Sequence, residues 1–386
     1  MAQRKIVVFT GSRAEYGLLH PVIRSLSSEG SFTVSLIVSG SHLADGFGMT
    51  EKEIDTSTVA EVKKIYLSPG PGGGPTDIPG TISQIVQGAA ELLREMRPDI
   101  VMAAADRYET FAFAVAAFYC AIPIAHLFGG DVSQGGHYDD SARHAITKLA
   151  HLHFVTNEDS YRRVLALGEE PWRVHTVGSP AVDTLMGQEY ASQDEIAAAL
   201  DLDLSKPVVL FTQHPVTTES DRAYDQVKES LEALRELNIQ TVITYPGDDT
   251  GSEQIVRALE EYSRTPNFRI RKSLGWRQYL GLLRIVSAVV GNSSSGILET
   301  PIVRVPSVNI GNRQAGRLRA ENVIDVPHDR EAIKKAIRTA LEDKDFIKQV
   351  ERCTNPYGSG GASQKIAKVL KTIPVDRRLL QKKMTV

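Results

Sequence analysis

The densest group of ionisable side chains in the sequence lies between residues 129 and 143. Two glycines precede Asp131, and the acids Asp139 and Asp140 precede the base Arg143. Glycine lets a ligand approach the backbone closely. Neighbouring carboxylates raise one another's pKa, which suits general acid and base catalysis. A helix N-terminus with an ion pair to Arg143 explains the same residues, so both interpretations stay open on the motif alone.

Two further candidates for acid and base chemistry follow apolar runs that resemble strands. Asp106 and Arg107 come just after one such run, and His214 follows another. Ligands in α/β folds bind at the carboxyl ends of strands, where a carboxylate could transfer a proton. An imidazole there could polarise a phosphate oxygen or carry a proton. A helix-capping role for Asp106 and an uninvolved loop position for His214 are the alternatives.

A small-residue motif in the second half of the chain could bind an anion. It follows a predicted strand and consists of Gly291, Asn292, Ser293, Ser294, Ser295 and Gly296. Small residues let backbone N–H groups and hydroxyls approach a phosphate at the start of a helix. Glu299, one turn further on, could accept hydrogen bonds from ribose hydroxyls. A helix N-cap without a ligand is the alternative.

A matching turn, Thr10 to Arg13, follows the first predicted strand. Arg13 could pair with a phosphate there, or it is a plain surface arginine. The sequence contains neither the glycine fingerprint for dinucleotides after its first strand nor a phosphate-binding P-loop, so no cofactor is predicted. His151 and His153 could place two imidazoles on one strand face, but no third ligand suggests itself and no metal is predicted.

Length and composition exclude several classes of protein. The chain has 386 residues, enough for two domains, and a net charge of −3, so it has no basic field for nucleic acid. Its two cysteines exclude a disulfide framework. No apolar run approaches the roughly 20 residues that span a membrane. The first apolar run is also too short for a signal peptide, so a cytoplasmic location is expected.

Short apolar runs typical of buried strands alternate with helical patterns along the chain. The first half has predicted strands at Lys5–Phe9, Phe32–Val38, Asp99–Ala104, Ile122–Leu127, His153–Thr156 and Val174–Val177. The second half has them at Val208–Phe211, Thr241–Tyr245, Phe268–Arg271, Ala288–Val290 and Val305–Ile310. This alternation predicts an α/β fold with two Rossmann-like, doubly wound domains that face each other across a cleft.

Three segments are expected from this pattern. Residues 1–183 form an N-terminal domain, residues 184–366 a C-terminal domain, and residues 367–386 a helix and tail that pack back on the N-terminal domain. The boundary lies in the polar stretch Gly178–Pro207, which contains two prolines. The glycine- and proline-rich stretch Ser68–Pro79 predicts a flexible loop, either a lid or a plain surface loop.

Taken together, these motifs resemble the hydrolysing UDP-N-acetylglucosamine 2-epimerases of bacterial sialic-acid and legionaminic-acid synthesis. The resemblance covers residues 5 to 370. It rests on residues 11–16, 39–43, 106–107, 139–151, 213–215, 291–299, 309–314 and 355–358. It implies a GT-B type fold whose second domain holds most of the nucleotide, and an assembly of two or four identical chains.

The resemblance also assigns roles to residues. Asp106, Asp139 and His214 fall on catalytic positions, and Asp131 and Asp140 are further catalytic candidates. The remaining residues are expected to bind substrate: Arg13, Glu15, His42, Arg107, Arg143, Gly291, Asn292, Ser293, Ser294, Ser295, Glu299 and Arg313.

The expected reaction releases the nucleotide from C1 of an N-acetylamino sugar while a proton leaves C2. The resulting glycal takes up water at C1 and a proton on the other face of C2. The substrate is UDP-N-acetylglucosamine or a UDP- or GDP-linked 2,4-diacetamido-2,4,6-trideoxyglucose. A non-hydrolysing 2-epimerase, a GT-B glycosyltransferase and an inactive nucleotide-sugar sensor are the alternatives.

One position departs from the family pattern. The family commonly has a glutamate before the two glycines, whereas this chain has Phe128. The chain therefore lacks this carboxylate as a catalytic base, and Asp131 is a candidate to replace it. An apolar Phe128 also suits a 6-deoxy sugar better than a sugar with a 6-hydroxyl, so we expect it to influence the choice of sugar.

Overall fold

The computed structural model describes residues 3–43, 50–68, 70, 77–133, 139–187, 190–247 and 249–385. The chain forms two compact units. The first comprises Met1–Asp131, Tyr138–Thr184 and Tyr357–Val386, and the second Val132–His137 and Leu185–Pro356. The chain thus returns to the first unit well before the predicted boundary at residue 366. Most of the loop predicted at 68–79, and the loop at 134–138, lie outside the described residues.

The first unit is built on a parallel sheet of seven strands with the order β3-β2-β1-β4-β5-β6-β7. The strands are β1 Arg4–Thr10, β2 Phe32–Val38, β3 Glu61–Lys64, β4 Ile100–Ala104, β5 Ile124–Leu127, β6 Leu152–Val155 and β7 Val174–Thr176. The helices are α1 Arg13–Ser28, α2 Ile78–Met96, α3 Tyr108–Tyr119, α4 Asp139–Leu149, α5 Glu158–Ala166, α6 Pro180–Met186, α15 Ala362–Thr372 and α16 Arg377–Leu380. The strand order reverses between β1 and β4, as in a doubly wound fold.

The second unit repeats this plan with six parallel strands in the order β10-β9-β8-β11-β12-β13. The strands are β8 Val208–Thr212, β9 Gln240–Thr244, β10 Phe268–Arg271, β11 Ala288–Gly291, β12 Ser307–Ile310 and β13 Val323–Val326. The helices are α7 Gln193–Leu200, α8 Ala223–Leu237, α9 Ser252–Glu261, α10 Gly275–Leu283, α11 Ser295–Leu298, α12 Thr300–Val303, α13 Arg330–Glu342 and α14 Lys344–Arg352. Here the order reverses between β8 and β11.

The central strands are apolar on both faces because helices cover both sides of each sheet. Every residue of β4 and of β8 is buried. In the first unit one core packs between the sheet and α1 with α15, and it includes Leu19, Ile366 and Leu370. A second core packs under α2 and α3 on the opposite face. Both faces of the sheet are therefore closed, and the strand ends are left to carry the polar residues.

Two edge strands, β3 in the first sheet and β13 in the second, were not predicted from the sequence. β3 is mostly charged and half exposed, and β13 is only partly buried. An edge strand packs on one neighbour only, so its apolar signal is weak.

Within the part of the chain that the structure describes, no helix combines the length and the apolar character needed to cross a membrane.

Candidate active site

A buried arginine joins the predicted acids of the first unit. Arg143 is 1% exposed, and its Nη2 pairs with Oδ2 of Asp106. Its Nη1 lies 2.9 Å from Oδ1 of Asp140 and donates to the carbonyl oxygen of Asp131 at 2.5 Å. The end of β4, the loop after β5 and the first turn of α4 thereby meet at one guanidinium. The ion pair between Arg143 and Asp140 that the sequence offered as an alternative is present, and it also includes Asp106.

Asp131 is held in a different way from the other acids. Its carboxylate is buried, and Oδ1 accepts hydrogen bonds from the hydroxyls of Thr156 and Ser160, both at 2.6 Å. Asp139 and Asp140 instead begin α4 and are only partly buried. Negative side chains there complement the positive end of the helix dipole. Asp139 and Asp140 are therefore more accessible to a ligand than Asp131.

Two residues at these strand ends adopt a left-handed backbone that non-glycine residues rarely occupy. Ala105, just before Asp106, has φ 62°, and Phe128, just after β5, has φ 66°. Such conformations cost of order 1–3 kcal/mol and cluster at functional sites. Phe128 turns its ring into the apolar core of the first unit and is 6% exposed. It therefore packs against protein, which does not support the expected contact with the sugar.

The turn after β1 is braced by a buried glutamate. Glu15 accepts a hydrogen bond from the amide of Gly11 at 2.7 Å and another from the hydroxyl of Thr110. Burial, reinforced by the nearby carboxylate of Glu109, raises the pKa of Glu15 to about 7. The guanidinium of Arg107 pairs with both oxygens of Glu109, at 3.1 and 3.0 Å. Glu15 thus braces the turn from inside the protein, and the partly exposed Arg107 holds the buried carboxylate of Glu109 next to it.

The two remaining residues predicted near this turn differ in exposure. Arg13 is exposed at the first position of α1, directly after the capping Ser12. His42 is 1% exposed, with Nε2 3.0 Å from the hydroxyl of Thr10 and Nδ1 3.0 Å from that of Thr50. Burial lowers the pKa of His42 to about 4, so the ring is neutral near pH 7. The Arg13 side chain is thus exposed to solvent, whereas His42 supports the turn from inside.

In the second unit, Asn292 links the ends of β8 and β11. Its side chain accepts a hydrogen bond from the amide of His214 at 2.6 Å and donates to the carbonyl of His214 at 2.8 Å. Gly291 precedes it with φ 127°, and a Cβ there would lie 2.0 Å from the carbonyl oxygen of Thr212. Only glycine fits this close approach of two backbones. Gln314, which the sequence did not single out, donates to the carbonyl of Asn292 at 2.9 Å.

The protonation of His214 follows from its partner. The amide of Gly247 donates to Nδ1 at 3.1 Å, so Nδ1 is an acceptor and carries no hydrogen. The neutral ring must then carry its hydrogen on Nε2. His214 therefore presents a hydrogen-bond donor at Nε2, which suits a phosphate oxygen better than it suits proton abstraction.

The serine-rich turn leads into a short helix. α11 has four residues and is separated from α12 at Glu299, because Pro301 in the first turn of α12 cannot donate to a continuous helix. Tyr279 donates to the hydroxyl of Ser295 at 2.7 Å, and that hydroxyl donates to Oε2 of Glu299. Burial raises the pKa of Glu299. Anion binding here would thus depend on amides and hydroxyls more than on a helix dipole.

Ser293 and Ser294 are partly exposed on this turn. Nearby, Nη1 of Arg313 lies 3.3 Å from the carbonyl of Asn292, and Nη2 lies 3.7 Å from Asp249. Arg313 therefore adds positive charge beside the serines. Across the described parts of the chain, no three His, Cys, Asp or Glu side chains are grouped in a way that could hold a metal ion.

Comparison with known proteins gives consistent matches. The sequence pattern of the family described as UDP-N-acetylglucosamine 2-epimerase matches residues 24–371. A Legionella pneumophila protein named UDP-N,N'-diacetylbacillosamine 2-epimerase (hydrolyzing) is 34% identical over 381 residues, which cover 98% of each chain. A Campylobacter jejuni protein named GDP/UDP-N,N'-diacetylbacillosamine 2-epimerase (hydrolyzing) is 33% identical over 84% of this chain and 85% of its own.

Among solved structures, the UDP-GlcNAc 2-epimerase from Neisseria meningitidis, bound to UDP-GlcNAc, is similar in fold. Its TM-score is 0.80 at 20% sequence identity, covering 95% of this chain and 99% of that one. The predicted fold class, two doubly wound α/β domains of the GT-B type, is confirmed.

Proposed function

The chain belongs to the UDP-N-acetylglucosamine 2-epimerase family, and we propose that it hydrolyses a nucleotide-activated N-acetylamino sugar while inverting C2. The observation that carries this proposal is the Arg143 cluster, in which one buried guanidinium holds Asp106 and Asp140 together. Proton removal from C2 and proton return to its other face need paired, positioned carboxylates. Two similar proteins are named as hydrolysing 2-epimerases, which favours release of the free sugar over a non-hydrolysing reaction.

The proposed reaction has two halves. First, the C2–H bond breaks as a base takes the proton, the C1–O bond breaks, and the nucleoside diphosphate leaves with the electron pair of that bond. A C1=C2 double bond forms, giving a glycal. Water then adds its oxygen to C1 and a proton enters C2 on the opposite face. The products are the free 2-epimeric sugar and the nucleotide, and no oxidant is consumed.

We propose that the first unit performs the proton transfers. Asp139 and Asp140 are the accessible carboxylates, and Asp106 is paired with Arg143 beside them. Asp131 is engaged by two hydroxyls, which makes it the weakest candidate for the base that replaces the family glutamate. In this proposal Arg143 sets the spacing of the acids, and Glu15, His42 and Arg107 act as positioning residues.

We propose that the second unit binds the nucleotide. Ser293 and Ser294 with their amides, His214 through Nε2–H, and Arg313 are the donors for the diphosphate. They would stabilise the charge that develops as it leaves. Glu299 is proposed to accept from a ribose hydroxyl, and Arg13 is proposed to pair with a phosphate. This arrangement of local donors explains how a chain with a net charge of −3 could hold an anion.

The proposed sugar is 2,4-diacetamido-2,4,6-trideoxyglucose linked to UDP or GDP, because both named relatives act on N,N'-diacetylbacillosamine carried by UDP, or by GDP and UDP. UDP-N-acetylglucosamine is the second candidate. The product would feed the synthesis of legionaminic or sialic acids. We assign Phe128 no role in selecting the sugar, since its ring packs into the core.

We also propose that the protein works in the cytoplasm as a homodimer or homotetramer. The resemblance to the epimerase family supports the assembly. Cys120 and Cys353 are both free thiols, which accords with a reducing compartment. Light scattering on the purified protein would measure the number of chains directly.

The test is to incubate the protein in D2O with each of the three nucleotide sugars and follow the products by proton NMR. We expect free manno-configured sugar with deuterium at C2, released nucleotide, and the highest kcat/KM for a diacetamido donor. An epimer still attached to its nucleotide would assign a non-hydrolysing reaction. Turnover that requires an added acceptor would indicate a glycosyltransferase, and binding without turnover an inactive sensor.

A further inference from the structure

A histidine outside the predicted site bridges two of its elements. His126 lies in β5 and is fully buried. Its Nε2 is 2.9 Å from the carbonyl oxygen of Ala105, and its Nδ1 is 3.2 Å from the hydroxyl of Thr147. A carbonyl oxygen can only accept, so Nε2 carries the hydrogen and Nδ1 is the acceptor. The orientation of the ring is fixed at both nitrogens.

Each hydrogen-bond partner of His126 lies close in the chain to a member of the Asp106–Arg143 ion pair. Ala105 holds its left-handed backbone directly before Asp106. Thr147 lies one turn after Arg143 on α4, and its single hydroxyl hydrogen is shared between Nδ1 of His126 and the carbonyl oxygen of Arg143, 3.0 Å away. The His126 ring therefore spans the gap between the strand end that carries Asp106 and the helix that carries Arg143.

The space around the ring allows little adjustment. A Cβ at position 129 would lie 3.1 Å from Nδ1 of His126 and 3.1 Å from the hydroxyl of Thr147, closer than ordinary contact. Gly129 thus leaves room for this hydrogen bond. Burial, the largest cause, lowers the pKa of His126 to about 3. The ring is neutral near pH 7 and adds no charge that would compete with Arg143 for the acids.

We propose that His126 is a positioning residue, which fixes the distance between Asp106 and Arg143 by holding the Ala105 carbonyl and Thr147. This inference rests on the proposed function, because it assigns His126 a role in the same reaction. His126 does not touch the substrate in this proposal. Its effect is to hold the acid and the guanidinium in the geometry that proton transfer needs.

A matched control lies on the next strand. His153 pairs with His126 across β5 and β6, is equally buried, and bonds through Nε2 to Glu169 at 3.1 Å. Burial also lowers its pKa, to about 4. Its contacts lead to Glu169 and not to Asp106 or Arg143. A general loss of packing would affect both histidines, whereas a positioning role belongs to His126 alone.

The experiment compares His126→Phe with His153→Phe, using kcat per folded molecule and the Kd for UDP. We expect His126→Phe to lower kcat by about 100-fold, the cost typical of a misplacement near 1 Å, with the Kd for UDP within twofold of wild type. His153→Phe should keep kcat within about twofold. His126→Gln, whose amide can reach the Ala105 carbonyl, should recover most of the activity, whereas the shorter His126→Asn should not.

Equal kcat for the two phenylalanine variants would overturn the inference. Should His126→Phe fail to fold, equal kcat for His126→Gln and His126→Asn would overturn it. Wild-type protein that releases no free sugar would refute the proposed function instead. The inference would then be decided by a crystal structure of His126→Gln beside His126→Asn: an intact Asp106–Arg143 contact in both would contradict it.

Discussion

The strand ends of the two units have the same topology but opposite chemistry. In the first unit they carry charged side chains, with the buried Arg143 between the partly buried Asp106 and Asp140, and two non-glycine residues in left-handed backbone. In the second unit they carry amides and hydroxyls around Asn292, beside the guanidinium of Arg313, and the residue with positive φ that ends β11 is a glycine, Gly291. Fixed charges suit a task in which protons move, and neutral donors suit a task in which an anion must bind and then leave. Under the proposed function, the same scaffold would support two separate tasks.

The largest expected effect comes from removing the charged centre of the first unit. Arg143→Met removes the buried guanidinium, so the partly buried carboxylates of Asp106 and Asp140 lose this partner. We expect kcat/KM to fall at least about 1,000-fold and the free energy of unfolding to fall by about 1–3 kcal/mol. Arg143→Lys should restore charge but little activity, because one ammonium cannot replace the guanidinium fork. Steady-state kinetics and urea unfolding measure both, with the exposed Arg162→Met as the control.

The next prediction tests the neutral hydrogen-bond donors of the second unit. Gly291→Ala places a Cβ 2.0 Å from the Thr212 carbonyl, so the ends of β8 and β11 must separate. The serine turn begins at this position, so the clash would displace its hydrogen-bond donors. We expect the Kd for UDP to rise about 10- to 100-fold, which corresponds to a loss of roughly 1.4–2.8 kcal/mol in binding free energy. Gly275→Ala is the matched control, since Gly275 also has positive φ but open space around it. Equal UDP affinity in the two variants, measured by calorimetry, would contradict the prediction.

A smaller effect concerns the hydrogen on His214. If Nε2–H serves as a donor to phosphate, His214→Gln should retain a donor near that position and lose less than about tenfold in kcat/KM. His214→Leu should lose about 100-fold, the typical cost of removing a donor to a developing charge. The pH profile of kcat should have the same shape in His214→Gln as in the wild type. Loss of a limb from that profile would instead indicate that His214 transfers a proton.

The smallest expected effect is on the pH dependence of stability, through Glu15 of the first unit. The folded pKa of Glu15, about 7, lies above the ordinary 4.5. Its contribution to stability is therefore complete below pH 4.5 and is lost as the pH rises through 7. Glutamine cannot ionise, so Glu15→Gln should gain about 2 kcal/mol relative to wild type between pH 5 and pH 8.5. Unfolding curves at both pH values test this, and the exposed Glu158→Gln should show no such gain.

The sequence predicted most of the central strands, which recur in both units, but few of the side-chain contacts that join distant segments of the chain. Central strands such as β4 and β8 were predictable because they are continuous apolar runs, and the polar residues after them could be placed at strand ends. The ion pair between Arg143 and Asp140 follows from their spacing on one helix. The pair with Asp106 does not, because 37 residues separate it from Arg143.

The direction of side chains was the second feature that the sequence did not predict. Glu15 and His42 lie in motifs typical of the family, yet both face inward and hold the turn after β1. Phe128 occupies a position that was expected to contact the sugar, but its backbone is left-handed and its ring packs in the core. A sequence pattern specifies the residue and its element, and the local backbone conformation decides which way the side chain points.

The central claim is that the first unit moves protons while the second unit binds the nucleotide. Asp106→Asn tests it most directly, because asparagine keeps the size of the side chain but removes the carboxylate that pairs with Arg143. We would measure the Kd for UDP and, at saturating nucleotide sugar, the rate at which deuterium enters C2. The account predicts unchanged UDP affinity with deuterium uptake lowered at least about 100-fold. Weakened UDP binding with uptake intact at saturation would contradict it.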